Sequence, residues 1–402
     1  MSNRDYQPFQ FSCPSCGDLI IIECSGCFRD DDFQFTVING VDELESLNDA
    51  MPILKVDLHL DLPIIKDKTL QSTIFFNCID ELGLTKYQLL AQKLDMLNDL
   101  HKSHNELKRL IRHFLRKNID AFERTLESIP LVSLASIKQE DVYAAIYAST
   151  TLLSSPLCIL EKNQLDSDRA LDFLQLQHID NKLPFEKYVS YLFDSNILVR
   201  MHEDVIGLYP RMLSFDVFLR PALYFDFINL SEEYLASGYV SNSKIDQLLT
   251  LYQDMYEVFA RLLVFLMGYK NVVDNADHDS FSNEFILNKK QKPIKKYTSL
   301  KESFELNLDE KKKVLRGFFC EPSFDSIDAR LRNGIAHYNY RIKEAEQLIV
   351  FQPKKTEFAS QGEFQIGFLQ FTRSLLELFR EIHSINHVIK GFIFFRLLTK
   401  KN

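Results

Sequence analysis

Apolar residues recur at helical spacing over most of the chain. Between 243 and 269, Ile245, Leu248, Leu249, Tyr252, Tyr256, Phe259, Leu262, Leu263 and Leu266 fall on one stripe. This pattern predicts a long amphipathic helix capped by Asn242 or Ser243. The last segment, from Glu363 onward, repeats it with Phe364, Phe368, Phe371, Leu375, Leu378, Phe379 and Ile382. From Thr85, a potential cap, to Ser128 there is neither Gly nor Pro. Leu90, Leu94 and Leu97, then Leu107, Leu110, Ile111 and Phe114, keep the helical period, with a bend expected at His101-Lys102-Ser103-His104-Asn105.

Two stretches depart from that period. Residues 33–76 alternate β-branched and aromatic positions, as in Phe33-Gln34-Phe35-Thr36-Val37 and 54–62, and predict a small β-containing region. Within it Asp57, His59 and Asp61 occupy every second position, as ligands on a metallohydrolase strand would. The preferred reading is a half-exposed strand whose apolar face is Val56, Leu58, Leu60 and Leu62. Near the C-terminus, 340–342 and 348–351 predict a hairpin, preceded by helices over 309–319 and from 323 onward.

The expected architecture is therefore mainly α. A C-terminal helical bundle with a short β-hairpin (236–402) follows a helical middle region (81–235) and a small zinc-binding, β-containing N-terminal region (1–80). The middle region carries no motif.

Composition agrees with a folded chain: 402 residues, 46% hydrophobic and 26% charged, with 12 Gly and 12 Pro, leave room for long helices and a large core. No uncharged apolar window approaches the ~18 residues of a membrane span, and a cytoplasmic location without membrane attachment is expected. The formal net charge of −9 argues against nonspecific binding of polyanions. Positive charge is nonetheless clustered at Lys108 to Lys117, at Lys289, Lys290, Lys292, Lys295 and Lys296, and at Lys311, Lys312 and Lys313. Each cluster taken singly reads as a solvated face.

Four cysteines fall in two Cys-x-x-Cys knuckles, Cys13/Cys16 and Cys24/Cys27. Such pairs place two thiolates on a tight turn, and two pairs can complete a tetrahedral structural Zn²⁺ site. Four thiolates leave no open coordination position, so the metal is expected to be structural and not catalytic. Cys78, Cys158 and Cys320 read as core residues.

The chemistry is concentrated in Leu331-Arg332-Asn333-Gly334-Ile335-Ala336-His337-Tyr338. Five residues apart, Arg332 and His337 would point about 140° apart on a continuous helix, so a bend or an end is required; Gly334 weakens the helix between them, Tyr338-Asn339-Tyr340 leads into an extended segment, and His337 is expected at the helix end. Histidine exchanges protons near neutral pH, and arginine offers a planar fork to phosphate oxygens. The competing role for the pair is an Arg332–Asp328 ion pair and a helix-capping His337.

This passage resembles the HEPN superfamily, whose ribonuclease members carry an Arg, an adjacent polar residue and a His four to six positions on. Here these are Arg332, Asn333 and His337. A long helix, the motif helix, a hairpin from Tyr338-Asn339-Tyr340 and a terminal helix also follow that family's order. The resemblance covers the last 160 to 170 residues. It implies metal-independent cleavage of single-stranded or tRNA-loop RNA at a composite site between two copies of the chain. Lys311, Lys312, Lys313, Tyr338 and Tyr340 are the expected RNA contacts. By the same resemblance the chain would serve in antiviral abortive infection, with a phage or regulatory trigger sensed by its N-terminal part. The alternative is a noncatalytic HEPN module that dimerises and binds a partner protein or nucleic acid.

Overall fold

A computed structural model describes residues 4, 6–13, 16–26, 34–40, 56–65, 73–228, 235–236, 238–241, 244–282, 292, 299–325, 327–352 and 363–399. Alternation near the N-terminus produces an antiparallel sheet in the order β1 (Tyr6–Ser12), β2 (Leu19–Ser25), β3 (Gln34–Asn39). A two-residue strand β4 (Ile64–Ile65) follows.

Helices come next: α1 (Ile74–Leu82), α2 (Leu84–His101), α3 (His104–Leu115), α4 (Ile119–Leu126) and α5 (Gln139–Ser154). They continue with α6 (Leu160–Asp180), α7 (Lys182–Asp194), α8 (Ile197–Ser214) and α9 (Asp216–Leu223). Strand β5 (Gly238–Tyr239) pairs with β4. The long helix α10 (Ile245–Asn275), then α11 (Leu308–Leu315) and α12 (Ala329–Ala336), precede an antiparallel three-stranded sheet. Its strands are β6 (Tyr340–Lys343), β7 (Leu348–Phe351) and β8 (Phe364–Gly367), and the terminal helix α13 (Phe368–Thr399) closes the chain.

The protein is thus mainly helical, with small antiparallel sheets towards both ends, as the periodicity predicts. The bend at His101 to Asn105 is present between α2 and α3. A second break follows Arg116, where Lys117 takes the left-handed conformation (φ 55). The terminal helix starts later than expected, because Phe364 to Gly367 pair with β7 and only then does the chain turn helical. The expected strand over 54–62 is absent from its described part. Residues 56–59 are irregular, and His59 and Asp61 are buried along with Leu60 and Leu62, so no polar face alternates with an apolar one. The expected caps Asn242 and Ser243, together with Lys289, Lys290, Lys295 and Lys296, lie outside the described residues.

The compact units do not follow a linear division at residues 80 and 235. The first comprises Met1–Lys102, Ser214–Leu251 and Arg330–Leu376; the second comprises Ser103–Leu213, Tyr252–Ala329 and Glu377–Asn402.

In the first unit Phe9, Cys24 and Leu60 form a small core against the N-terminal sheet. Beside it Arg220 is fully buried and donates to Asp61 (2.9 Å), Asp216 (3.1 Å) and Asn98 (2.5 Å), while Arg4 also pairs with Asp216. Such a network is tolerated because each charge meets an opposite one. The N-terminal sheet is tied to the β6–β7 hairpin by Gln10 donating to Glu344 (2.7 Å) and Ser12 donating to the Ala345 carbonyl (3.1 Å).

The second unit is a helical bundle whose core is aromatic. Phe185, Tyr188, Phe265, Tyr269 and Phe392 interlock edge to face and stacked, and Tyr188 donates to the Phe265 carbonyl (2.8 Å). No helix among the described residues is long and apolar enough to cross a membrane.

Candidate functional site at the end of helix α12

Helix α12 carries the Arg-Asn-x-x-x-His segment in the first unit. Its buried side is Leu331, Gly334 and Ile335. Gly334 has a packing reason: a Cβ there would overlap Cδ1 of Phe351 and stand 3.0 Å from its Cε1. The β7 ring therefore lies directly on the helix backbone. Arg330 stacks over Phe364 of β8, 4.6 Å from the ring centre.

The helix is not broken between Arg332 and His337. The His337 N–H still bonds the Asn333 carbonyl at 3.2 Å, so the chain stays helical past Gly334 and the helix end expected at His337 is what occurs. Tyr338 adopts φ 53, its N–H returns to the Ile335 carbonyl (3.1 Å), and the Asn339 N–H returns to the Gly334 carbonyl (2.9 Å). Those two bonds define a Schellman cap with His337 at the C-cap, in a place usually closed by glycine. A tyrosine in the left-handed region costs about 1–2 kcal/mol. Its ring is 85% exposed, so no burial of the side chain offsets that strain.

The outward side of this helix end is polar. Asn333 and His337 are exposed and Arg332 is half-buried, with its guanidinium donating to Asn333 Oδ1 at 3.1 Å. Since the helical path through His337 is intact, Arg332 and His337 diverge by about 140° around the axis. One copy of the helix presents both groups to solvent but aims them at different points. Asn333, on the surface beside Arg332, is placed to orient the guanidinium and not the imidazole.

The expected RNA contacts separate in the structure. Tyr338 is an exposed ring next to His337. Tyr340 instead packs on Phe351, with ring centres 6.0 Å apart, and burial raises its hydroxyl above the usual range, helped by Asp246. That is a packing role. Lys311, Lys312 and Lys313 lie on α11 in the second unit. Contrary to expectation, Lys311 is buried, its ammonium donates to the Ala260 carbonyl (3.0 Å), and burial pulls its pKa down to about 8. It has no free charge to offer a phosphate. Lys312 lies over Phe324, 5.3 Å from the ring centre, and Lys313 is exposed.

In the N-terminal region the described residues bring Cys13 and Cys16 together, but not Cys24. Cys13 and Cys16 flank the β1–β2 turn, where Ser12 pairs with Leu19. Cys24 sits at the opposite end of β2, opposite Gln7, and is buried against Phe9 and Leu60. Five strand residues separate the two places, about 17 Å. As placed, these three thiols do not fit one tetrahedral ion, whose metal–sulfur distances are about 2.3 Å. Cys27 lies outside the described residues. No group of three or more His, Cys, Asp or Glu side chains suited to a metal occurs among the described residues.

Asp57, His59 and Asp61 have structural partners. Asp57 accepts from the Ile74 N–H (2.6 Å) at the start of α1, His59 Nδ1 accepts from the Asp61 N–H (3.2 Å), and Asp61 accepts from Arg220. The buried Arg220 network was hidden in sequence. Its signal was the four-residue spacing of Asp216 and Arg220 on an otherwise apolar helix.

Comparison of the chain with protein-family models, curated proteins and solved structures gives no match.

Proposed function

We propose that this chain is an endoribonuclease of the HEPN type, acting as a homodimer in which α12 of each copy contributes to a shared site. The observation that carries the reading is the exposed His337 at a strained helix cap, one turn beyond the paired Arg332 and Asn333. An imidazole in that position is free to take the proton of a ribose 2′-hydroxyl or to give one to a 5′-oxygen leaving group. The Arg332 fork suits the phosphate oxygens as charge builds on them. Cleavage by this route needs no metal step and leaves a 2′,3′-cyclic phosphate and a 5′-hydroxyl. The divergence of the two side chains on one helix is why the proposal requires two copies. Arg332 of one chain then meets His337 of another.

The target is single-stranded RNA, including tRNA loops, with the exposed Tyr338 ring offered to a base. The biological setting proposed by resemblance is antiviral abortive infection, with the N-terminal region receiving a phage or regulatory trigger. The test is incubation of purified protein with total RNA. Wild type should release fragments with 5′-hydroxyl ends that His337→Ala does not; identical fragment patterns would remove the reading.

Zinc belongs to the proposal only as a structural ion at the first knuckle, where Cys13 and Cys16 supply two of four ligands and Cys24, as placed, is not a third. Metal analysis of the purified chain tests it. About one zinc per chain is expected, lost in the Cys13→Ser/Cys16→Ser variant; a metal-free wild type would end this part of the proposal.

A further inference from the structure

A cavity of about 150 Å³ lies in the first unit, between the segment that carries His59 and helices α1 and α2. Tyr87, Ala91, Leu94 and Asp95 of α2 line it at helical spacing, hence on one face. Phe75 of α1 forms another wall. Phe75, Tyr87 and Ala91 are half-buried and Asp95 is exposed, so the cavity is reached from solvent past these residues.

On its buried side stands a donor without an acceptor. His59 is only 8% exposed. Its backbone N–H donates to Ser241 Oγ (3.0 Å), its carbonyl accepts from the same hydroxyl (2.9 Å), and its Nδ1 accepts from the Asp61 N–H (3.2 Å). With Nδ1 an acceptor, the ring hydrogen sits on Nε2. Burial pushes the imidazole down to about 4, so the ring is neutral at pH 7. Among the described residues nothing accepts from this Nε2–H, although His59 lines the cavity. The Tyr87 hydroxyl likewise has no hydrogen bond among the described residues, and burial, with the charges of Asp61 and Asp95, raises it above the usual range. Asp61 is buried and already accepts from Arg220 (2.9 Å), which leaves Asp95 as the negative group at the mouth.

Volume, charge and donor count decide the ligand class. A cavity of about this volume holds one benzene-sized ring. Asp95 repels an anion, and a cation brings only donors, which would leave the His59 N–H unmatched. The lining therefore calls for a neutral planar ring that carries an acceptor for His59 and, on the same edge, a donor for Asp95. Cytosine has that edge, since its O2 and N3 accept while its amino group donates, and a carboxylate is a suitable acceptor for that amino group. We infer that this cavity binds a cytosine base, its O2 and N3 edge facing His59 Nε2, its amino group donating to Asp95 and its ring against Phe75. Uracil would turn a carbonyl oxygen towards Asp95, and a purine brings a second ring. The base can come from a free nucleoside or from an unpaired position of an RNA strand.

Isothermal titration of the full chain with cytidine, uridine and adenosine tests this. Cytidine should bind saturably with one site per chain, and uridine and adenosine about tenfold more weakly or worse. Asp95→Ala should bring cytidine down to the level of uridine, and His59→Phe, which keeps a ring but removes the donor, should weaken cytidine about tenfold. Circular dichroism should stay that of wild type in Asp95→Ala, an exposed position, so this variant decides if His59→Phe fails to fold. Pentacytidylate added to the His337→Ala chain separates the two sources: competition with cytidine assigns the cavity to a base of an RNA strand, and no competition assigns it to the free nucleoside. The inference is overturned if cytidine does not saturate, if uridine binds as tightly as cytidine, or if Asp95→Ala keeps the wild-type preference for cytidine. Because the readout is binding, it does not depend on whether the chain cleaves RNA.

Discussion

Gly334 of α12 and Phe351 of β7 are in such close contact that the helix backbone itself forms the floor on which the ring rests. Through this contact the motif helix and the hairpin that follows it are fixed as one piece. Gly334→Ala would place a methyl group inside the ring's volume. Overpacking of this kind costs about 1–3 kcal/mol. The variant should unfold at lower denaturant concentration with an unchanged dependence on denaturant, measured by circular dichroism in urea. Phe351→Leu combined with Gly334→Ala should recover part of the loss, as the smaller side chain makes room.

Tyr338 separates stability from activity. Its left-handed backbone conformation strains a non-glycine residue, and its exposed ring contributes little to packing. Tyr338→Gly relieves the strain while raising the entropy of the unfolded chain, for a net gain of up to about 1 kcal/mol. RNA cleavage should fall severalfold with the loss of the ring as a base platform. A thermal melt and a cleavage assay on the same preparation check both directions. Unchanged cleavage in a more stable variant would restrict Tyr338 to the cap.

Acid should destabilise the second unit through buried histidines. Burial pushes His202 and His383 down to about 3 and His387 down to about 4, with His387 and Lys390 adding to the effect on His383 and Lys390 to that on His387. In the unfolded chain these groups titrate near 6.5. The unfolded state therefore binds more protons between those values, and stability present above pH 6.5 is lost as pH falls towards 4. At pH 5 each of the three costs about 2 kcal/mol relative to neutral pH. Urea midpoints measured from pH 7.5 to 4.5 should fall steadily. His202→Phe should flatten the slope.

Much of the architecture was legible because it rests on period. The stripe from Ile245 to Leu266 and the phenylalanines of the last segment each had one way to be buried, and α10 and α13 follow them. The start of α13 was not legible, since Phe364 fits a strand alternation as well as a helical stripe, and pairing with Phe351 of β7 decided between them. Asp57 to Asp61 misled for a related reason. Alternation in sequence does not report that Arg220, 159 residues away, holds Asp61 in the interior. At the candidate site, the helix end at His337 could be read from Tyr338-Asn339-Tyr340. The role of Gly334 could not. Gly334 looked like a helix breaker, whereas its missing side chain serves the Phe351 ring across the chain. Lys311 illustrates the same limit, because a lysine triplet does not reveal which member turns inward to a backbone carbonyl.

The central claim is that Arg332 and His337 from different copies of the chain form one cleaving site. It is tested most directly by comparing RNA cleavage by wild type, by Arg332→Ala, by His337→Ala and by a refolded equal mixture of the two variants. Each variant alone should lose cleavage by 100-fold or more, as about 3 kcal/mol of transition-state stabilisation would imply. The mixture should regain about a quarter of wild-type activity, because half of its dimers are mixed and one of their two sites is intact. Cleavage by His337→Ala at the wild-type rate, or a mixture no more active than its components, would contradict the account.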